Sequence, residues 1–149
     1  MPKRKPKISV ACDHAAYDLK RQVVNYLKDN GYDVLDRGTR SGKKSVDYPD
    51  YARRVVEDIL GKRANLGILL CGTGIGMSMA ANRHKGIRAA LAHDLTTAVM
   101  AASHNHANIL CMGGRMLAPT FAAQLAQAWL DTPKESRHKR RLDMLDDLT

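Results

Sequence analysis

Short apolar runs alternate along the chain with longer stretches in which apolar residues recur at helical spacing. The short runs, bounded by glycine or charged residues, predict buried strands at Lys7–Cys12, Tyr32–Asp36, Leu66–Leu70, Gly86–Ala92 and Ala107–Met112. The longer stretches predict helices at Ala15–Asn30, Pro49–Leu60, Met77–Asn82, Leu95–His104, Pro119–Leu130 and Lys134–Leu148. Strands separated by helices are typical of a parallel sheet with helices on both faces. We therefore predict an α/β fold, a Rossmann-like three-layer α/β/α sandwich around a five-stranded parallel sheet.

The length of the chain, 149 residues, suits one domain with a full core, and the sequence contains no internal repeat. We predict a basic N-terminal tail at 1–7 and a single domain at 8–149 that includes the C-terminal helix. No segment has the pattern of a signal peptide or a membrane span, so we expect no membrane partner. Cys12, Cys71 and Cys111 lack the spacing of zinc ligands. We therefore expect no metal site, reduced thiols and a cytoplasmic protein.

The net charge of +9 allows binding to nucleic acid, but the basic residues cluster near the two ends of the chain. With one Phe, one Trp and no base-stacking motif, we expect no nucleic-acid partner. Arg137 and Arg141 are four positions apart and would share one face of the predicted last helix. Two guanidinium groups on one face suit a phosphate, although an ordinary solvated helix surface has the same pattern.

The strand that ends at Leu70 leads into Cys71 and the glycine-rich turn 72–76. Backbone N–H groups of such a turn, at the carboxyl edge of a sheet, can hold an anion. The glycine spacing is not that of a dinucleotide-binding fingerprint, and no lysine follows the last glycine as in a P-loop. From this segment alone, a catalytic thiolate and an inert buried cysteine are both possible.

In a parallel sheet the residues that follow each strand collect at one edge. Four groups are expected there: Asp13 and His14, Cys71 with its turn, His93 and Asp94, and Gly113-Gly114-Arg115. An acid, imidazoles, a thiol and a guanidinium group would thus converge. This convergence is stronger evidence for an enzyme site than any one of these residues taken alone.

The segment Ser103-His104-Asn105-His106 ends a predicted helix and should lie at the opposite edge of the sheet. His104 can therefore reach a catalytic edge only if a second subunit brings it there. This placement predicts an oligomer with shared sites.

Several separated motifs resemble those of type B ribose-5-phosphate isomerases, in the ribose/galactose isomerase family of sugar-phosphate isomerases. They are Val10-Ala11-Cys12-Asp13-His14, Asp47-Tyr48-Pro49, Cys71-Gly72-Thr73-Gly74-Ile75-Gly76, His104-Asn105, Gly113-Gly114-Arg115, and Arg137-His138 with Arg141. The resemblance covers about Ile8 to Leu145. It implies an aldose–ketose isomerase of the pentose phosphate pathway. The implied enzyme interconverts ribose 5-phosphate and ribulose 5-phosphate through a cis-enediolate, without cofactor or metal, as a homodimer or a dimer of dimers.

The resemblance also implies a role for each matching residue. Cys71 would be the base, Thr73 would support it, and His104 would open the sugar ring. The backbone of the turn, Gly72, Gly74, Ile75 and Gly76, would stabilise the enediolate. Phosphate binding would fall to His14, Arg115, Arg137 and Arg141, with His138 close by. Asp13, Tyr48 and Asn105 would hold sugar hydroxyl groups.

Two positions separate this chain from some members of that family. Members without the cysteine use a glutamate six positions later, where this chain has Met77, so the resemblance places it in the cysteine-using branch. Relatives often have Asp, Asn or Gly at the position of His106, which we expect at the surface. An isomerase of allose 6-phosphate or another hexose phosphate remains an alternative. So does a non-enzymatic module that binds a phosphate ligand or nucleic acid.

Overall fold

The computed structural model describes residues 3–149 and contains one five-stranded sheet in which all strands are parallel. The strands are β1 (Ile8–Cys12), β2 (Val34–Asp36), β3 (Leu66–Cys71), β4 (Ala89–Leu91) and β5 (Ile109–Gly113). Their order across the sheet is β2-β1-β3-β5-β4, so β5 lies between two strands that precede it in the chain. The predicted Rossmann-like α/β/α fold with a five-stranded parallel sheet is confirmed.

Residues 3–149 form six α-helices, five of which pack on the two faces of this sheet. They are α1 (Tyr17–Asp29), α2 (Tyr48–Leu60), α3 (Ile75–Ala81), α4 (Leu95–Ser103), α5 (Pro119–Asp131) and α6 (Lys139–Leu145). Side chains of a strand point alternately to the two faces. Ile68 and Leu70 therefore pack with α1, α4 and α5, whereas Leu69 and Cys71 pack with α2 and α3. No helix within residues 3–149 combines the length and the apolar character that crossing a membrane requires.

The predicted C-terminal helix at Lys134–Leu148 is wrong in its extent. The segment forms a 3₁₀ turn at Ser136–His138, then α6, then a second 3₁₀ turn at Asp146–Leu148. The backbone of Glu135 is held outside a helix because its N–H donates to the carbonyl of Ser103 at 2.9 Å and its carbonyl contacts Nε2 of His106 at 2.8 Å. Arg137 and Arg141 consequently belong to different elements.

The fourth strand is shorter than predicted, three residues instead of Gly86–Ala92. It lies at the edge of the sheet and pairs only with β5. Gly86 has a positive φ of 84°, which a strand residue does not adopt. The chain therefore turns at Gly86 before the ladder begins.

The predicted basic tail, 1–7, is described from Lys3 onward, and Met1 and Pro2 lie outside the described residues. Residues 3–7 form no helix or strand. The ammonium group of Lys5 lies 4.6 Å from the centre of the Tyr32 ring, and Lys7 forms an ion pair with Asp33 at 3.3 Å. The part of the tail next to β1 therefore contacts the domain.

A buried carboxylate connects three parts of the fold. Asp58 of α2 is 1% exposed and accepts a hydrogen bond from the hydroxyl of Ser9 in β1 at 2.7 Å. Its other oxygen accepts from Nε of Arg63 at 2.9 Å, and Nε of Arg37 lies 3.2 Å from the carboxylate. The hydrogen bonds and charges together offset the cost of burying this acid.

Candidate active site

The end of β3 carries Cys71, whose Sγ accepts a hydrogen bond from the backbone N–H of Gly74 at 3.2 Å. The residue is 5% exposed. Gly74 has a φ of 80°, and a Cβ there would lie 2.7 Å from Leu91 Cδ1 and 2.9 Å from the carbonyl carbon of Met112. Only glycine fits both that conformation and that space. The sequence thus turns the chain so that an amide N–H points at the sulfur, which is the kind of donor that solvates a thiolate.

The other two cysteines are in different surroundings. Burial raises the pKa of Cys12 to about 12, although the nearby Lys20 lowers it. Burial also raises the pKa of Cys111 far above the ordinary value, and the proximity of Cys71 raises it further. Both thiols therefore remain protonated near neutral pH, which leaves Cys71 as the candidate base among the cysteines.

The amides of the glycine turn are only partly available to an anion. The N–H of Gly74 is used by Cys71 Sγ, and the N–H of Ile75 donates to Thr73 Oγ1 at 3.2 Å. The Thr73 hydroxyl therefore stabilises the turn. Among the hydrogen bonds of residues 3–149, it forms none with the sulfur of Cys71. Of the four residues whose backbone is expected to stabilise the enediolate, Gly74 and Ile75 already have partners for their N–H groups within the turn.

Two side chains expected to bind substrate lie against the same turn. A Cβ on Gly76 would be 2.7 Å from Cζ of Tyr48, so the Tyr48 ring packs directly on that glycine. A Cβ on Gly72 would be 3.2 Å from Nη1 of Arg115. The amide of Arg115 donates to the Gly72 carbonyl at 3.0 Å, which fastens the end of β5 to the turn after β3.

The end of β1 contributes Asp13 and His14. Asp13 is 7% exposed, and its carboxylate accepts from the backbone N–H of Ala15 at 3.0 Å, at the start of the 3₁₀ turn His14–Ala16. Nδ1 of His14 accepts from the backbone N–H of Val46 at 3.1 Å. Since Nδ1 accepts, the neutral ring carries its proton on Nε2, and that N–H can donate to a phosphate oxygen.

His93 and Asp94, which follow β4, were also expected at this edge of the sheet. Asp94 caps α4, accepting the backbone N–H of Thr97 at 2.7 Å, and this hydrogen bond lowers the pKa of Asp94. Because β4 is the edge strand and β5 separates it from β3, His93 and Asp94 are displaced from Cys71 across the sheet. His93 and Asp94 do follow β4 at the expected carboxyl edge, but the sequence did not show that β5 lies between β4 and the strand of Cys71.

A second group of side chains forms beyond the end of α4. The rings of His104 and His138 lie with centroids 4.3 Å apart, and Nε2 of each faces the carboxylate of Glu135, at 3.7 and 3.6 Å. Nε of Arg137 donates to Glu135 Oε2 at 2.7 Å, and this hydrogen bond lowers the pKa of Glu135. Burial lowers the pKa of His138, with Arg137 and His104 acting in the same direction. His138 therefore favours its neutral form.

Asn105 and Arg141 were also predicted as site residues, and within residues 3–149 neither forms a hydrogen bond with the second group. Asn105 is exposed just after α4, where its backbone N–H donates to the Met100 carbonyl at 3.3 Å. Arg141 is exposed in α6. His106 was expected at the surface, but it is half-buried, has a φ of 45° and contacts the Glu135 carbonyl. Asp, Asn and Gly adopt that left-handed conformation more readily than most residues do.

The two groups lie at opposite edges of the sheet. Cys71, Asp13 and Arg115 follow the carboxyl ends of strands, whereas His104 follows a helix that returns to the amino end of β5. Among residues 3–149, no hydrogen bond or ion pair joins one group to the other. A single chain therefore presents two separate groups of candidate site residues.

Glu135 is the member of the second group that sequence reasoning missed. It is one of only two glutamates in the chain, with Glu57, and it stands three positions before His138 in a predicted helix. That spacing was the only available signal, and it carries no information about His104, which is 31 positions away in sequence. The contact depends on how the C-terminal segment packs against the end of α4.

Known proteins similar to this chain match it over almost its full length. A family model described as Ribose/Galactose Isomerase matches residues 8–145. Ribose-5-phosphate isomerase B of Escherichia coli K12 is 38% identical over 140 residues, which are 93% of this chain and 93% of that protein. A crystal structure of a ribose 5-phosphate isomerase B from Thermotoga maritima is 51% identical with a TM-score of 0.93, covering 95% of this chain and 98% of that chain. The type B ribose 5-phosphate isomerase of Trypanosoma brucei is 39% identical with a TM-score of 0.92, covering 97% and 99%.

Proposed function

This chain belongs to the ribose/galactose isomerase family and is an isomerase, and we propose that its reaction is the interconversion of D-ribose 5-phosphate and D-ribulose 5-phosphate. One observation carries the proposal. Of the three thiols, only Cys71 ends a strand at a glycine turn with an amide N–H on its sulfur, and a phosphate-binding candidate, Arg115, lies against that same turn. A base beside an anion-stabilising turn is what an enediolate mechanism requires.

In the proposed reaction, the Cys71 thiolate removes the proton from C2 of the open-chain aldose phosphate. The C2–H electron pair forms the C1–C2 double bond, and the carbonyl electrons move onto O1 to give a cis-enediolate. A proton passes from O2 to O1, the Cys71 thiol returns its proton to C1, and the ketose results with the thiolate regenerated. The backbone N–H groups of Gly72, Thr73 and Gly76 have no hydrogen-bond partner within residues 3–149, so they are the turn donors left to stabilise the oxyanion.

Ring opening precedes that proton transfer, because ribose 5-phosphate exists mainly as a furanose. We propose that His104 moves the proton: it takes one from the anomeric hydroxyl and delivers one to the ring oxygen. Arg137, exposed beside it, and Arg141 would bind phosphate from the same side, and His138 is close enough to contact the substrate there. His14, through Nε2–H, and Arg115 would bind phosphate from the side of Cys71. Asp13, Tyr48 and Asn105 would hold the sugar hydroxyl groups.

Because the two groups lie at opposite edges of one sheet, we propose a homodimer, or a dimer of dimers, whose sites combine Cys71 of one subunit with His104 of another. Large apolar side chains support such an interface. Ile75 is 44% exposed, Met79 63% and Met100 43%, so each offers apolar surface that a second subunit could cover. Ile75 and Met79 lie on α3, which follows the glycine turn, and Met100 lies on α4, which leads to His104.

The proposed function is tested by measuring ketose formation from ribose 5-phosphate beside the same assay on allose 6-phosphate. We expect faster turnover of ribose 5-phosphate, and a loss of at least about a thousandfold in Cys71→Ala, since no other thiol can accept the proton. Cys12→Ala, on the other face of the sheet, is the matched control and should keep its activity. A Cys71→Ala enzyme within a few-fold of wild type would exclude this mechanism. Faster turnover of allose 6-phosphate would show that ribose 5-phosphate is not the preferred substrate.

A further inference from the structure

His104, Glu135 and His138 form a cluster in which three potential metal ligands already face one another. The ligand atoms, one from each residue, lie within 4.8 Å of one another. Nε2 of His104 is 3.7 Å from Glu135 Oε1, and Nε2 of His138 is 3.6 Å from Glu135 Oε2. Neither distance is a hydrogen bond, so both imidazole nitrogens approach the carboxylate without being bonded to it.

These separations are close to the distances between neighbouring ligand atoms around a bound ion. In a tetrahedral zinc site with bonds of about 2.1 Å to nitrogen and oxygen, neighbouring ligand atoms are about 3.4 Å apart. The two separations in the structure, 3.7 and 3.6 Å, run to different oxygens of the Glu135 carboxylate. With one ligand atom from each residue, the three atoms lie within 4.8 Å of one another. Side-chain rotations that bring them closer by up to about 1.4 Å would complete three corners of a tetrahedron.

His138 provides independent evidence for a ligand site. It is 9% exposed, and its Nε2 is buried with no hydrogen-bond partner among the described residues. A buried polar nitrogen without a partner is uncommon and calls for a ligand or a water molecule. This nitrogen is the one that faces the Glu135 carboxylate.

The cluster is also held in place by the backbone. The two hydrogen bonds of Glu135, to the carbonyl of Ser103 and to the ring of His106, fix the extended segment against the end of α4. Arg137 occupies Oε2 of the carboxylate, but Oε1 accepts no hydrogen bond from residues 3–149 and faces His104. An incoming cation would compete with one exposed guanidinium group.

We propose that His104, Glu135 and His138 bind a divalent transition-metal ion of the zinc class, with solvent at the fourth position. Two imidazoles and one carboxylate suit zinc, cobalt or nickel, whereas magnesium and calcium require more oxygen ligands. The consequence for catalysis rests on the proposed function: the ion takes the His104 nitrogen that would move the proton in ring opening. Zinc-class ions therefore inhibit the isomerase, and a chelator reverses the inhibition.

Binding is measured first, without substrate, by calorimetric titration of the full-length protein with Zn²⁺ and by absorption spectra with Co²⁺. We expect one ion per chain in wild type and in Cys71→Ala, and a cobalt spectrum without a thiolate charge-transfer band. Glu135→Gln should bind zinc at least about tenfold more weakly. Glu57→Gln, the same substitution at the other glutamate, should bind like wild type; circular dichroism checks that both variants are folded.

Loss of binding in Cys71→Ala, or a thiolate band with cobalt, would assign the ion to the cysteine and overturn the proposal. Equal zinc affinity in Glu135→Gln and wild type would overturn it as well. Inhibition is measured next, relative to the zinc-free rate of each variant, and Glu135→Gln should need at least about tenfold more zinc than Glu57→Gln. Because the titrations use no substrate, a failure of the proposed isomerase reaction leaves their result intact.

Discussion

Alkylation by iodoacetamide should distinguish Cys71 from the other two thiols. The thiolate is the reactive form. With its pKa raised from the ordinary 9.0 to about 12, Cys12 has about one ten-thousandth of its thiol ionised at pH 8, a thousandfold less than an ordinary thiol would have. Cys111 is shifted in the same direction, and both side chains are fully buried. Cys71 is 5% exposed and has an amide N–H on its sulfur, so it should be modified first.

The measurement is a time course of labelling by peptide mass spectrometry, with activity followed in parallel. We expect one label per chain, on Cys71, at a rate at least about a hundredfold above those of Cys12 and Cys111. Activity should fall in step with that label, and ribose 5-phosphate should slow both processes. Cys71→Ala should take up label only when unfolded. Inactivation that follows labelling of Cys12 or Cys111, or full activity after complete labelling of Cys71, would refute the assignment of the base.

Refolding an equal mixture of Cys71→Ala and His104→Ala chains should recover about a quarter of wild-type activity, because about half of the dimers are mixed and each holds one intact site. No recovery when mixed dimers are demonstrably present would exclude the shared site. Prolonged treatment with a chelator should not lower turnover of ribose 5-phosphate; a loss that a divalent ion restores would show that the reaction needs a metal. Asp58→Ala should lower the free energy of unfolding by about 1–3 kcal/mol in urea titrations, because the buried Ser9 hydroxyl loses its acceptor. Asp50→Ala on the exposed face of the same helix is its control, and equal losses in the two variants would contradict a special role for the buried acid.

The alternation of elements could be predicted because it is a local property. The run Leu66–Leu70 is apolar at every position except Gly67, and the glycines after Cys71 mark where it ends. Such runs are buried on both faces of the sheet, as in parallel sheets generally. The order of strands has no local signal, since it depends on pairings between distant segments. The sequence therefore placed His93 and Asp94 at the same edge as Cys71 but could not show that β5 lies between their strand and β3.

The candidate site likewise has one part that could be predicted from the sequence and one part that could not. Cys71, its turn and His14 follow strands directly, so their edge could be inferred from the sequence. The contact of Glu135 with two histidines could not, because it forms where the last segment crosses the end of α4. The C-terminal helix is broken for the same reason. The sequence of Lys134–Leu148 favours a helix, but the backbone of Glu135 forms its contacts with Ser103 and His106 and not with a helical turn.

The position of β5 also constrains how the chain is completed during synthesis on the ribosome. β4 pairs with no strand but β5, and β3 exposes one edge until β5 arrives, so the nascent sheet is divided until Ile109–Gly113 inserts between them. The same insertion brings the amides of Gly114 and Arg115 onto the carbonyls of Cys71 and Gly72. A ribosome-bound chain that already contains the thiol thus lacks a finished turn around it, and the reactive sulfur acquires its surroundings only in the last third of translation.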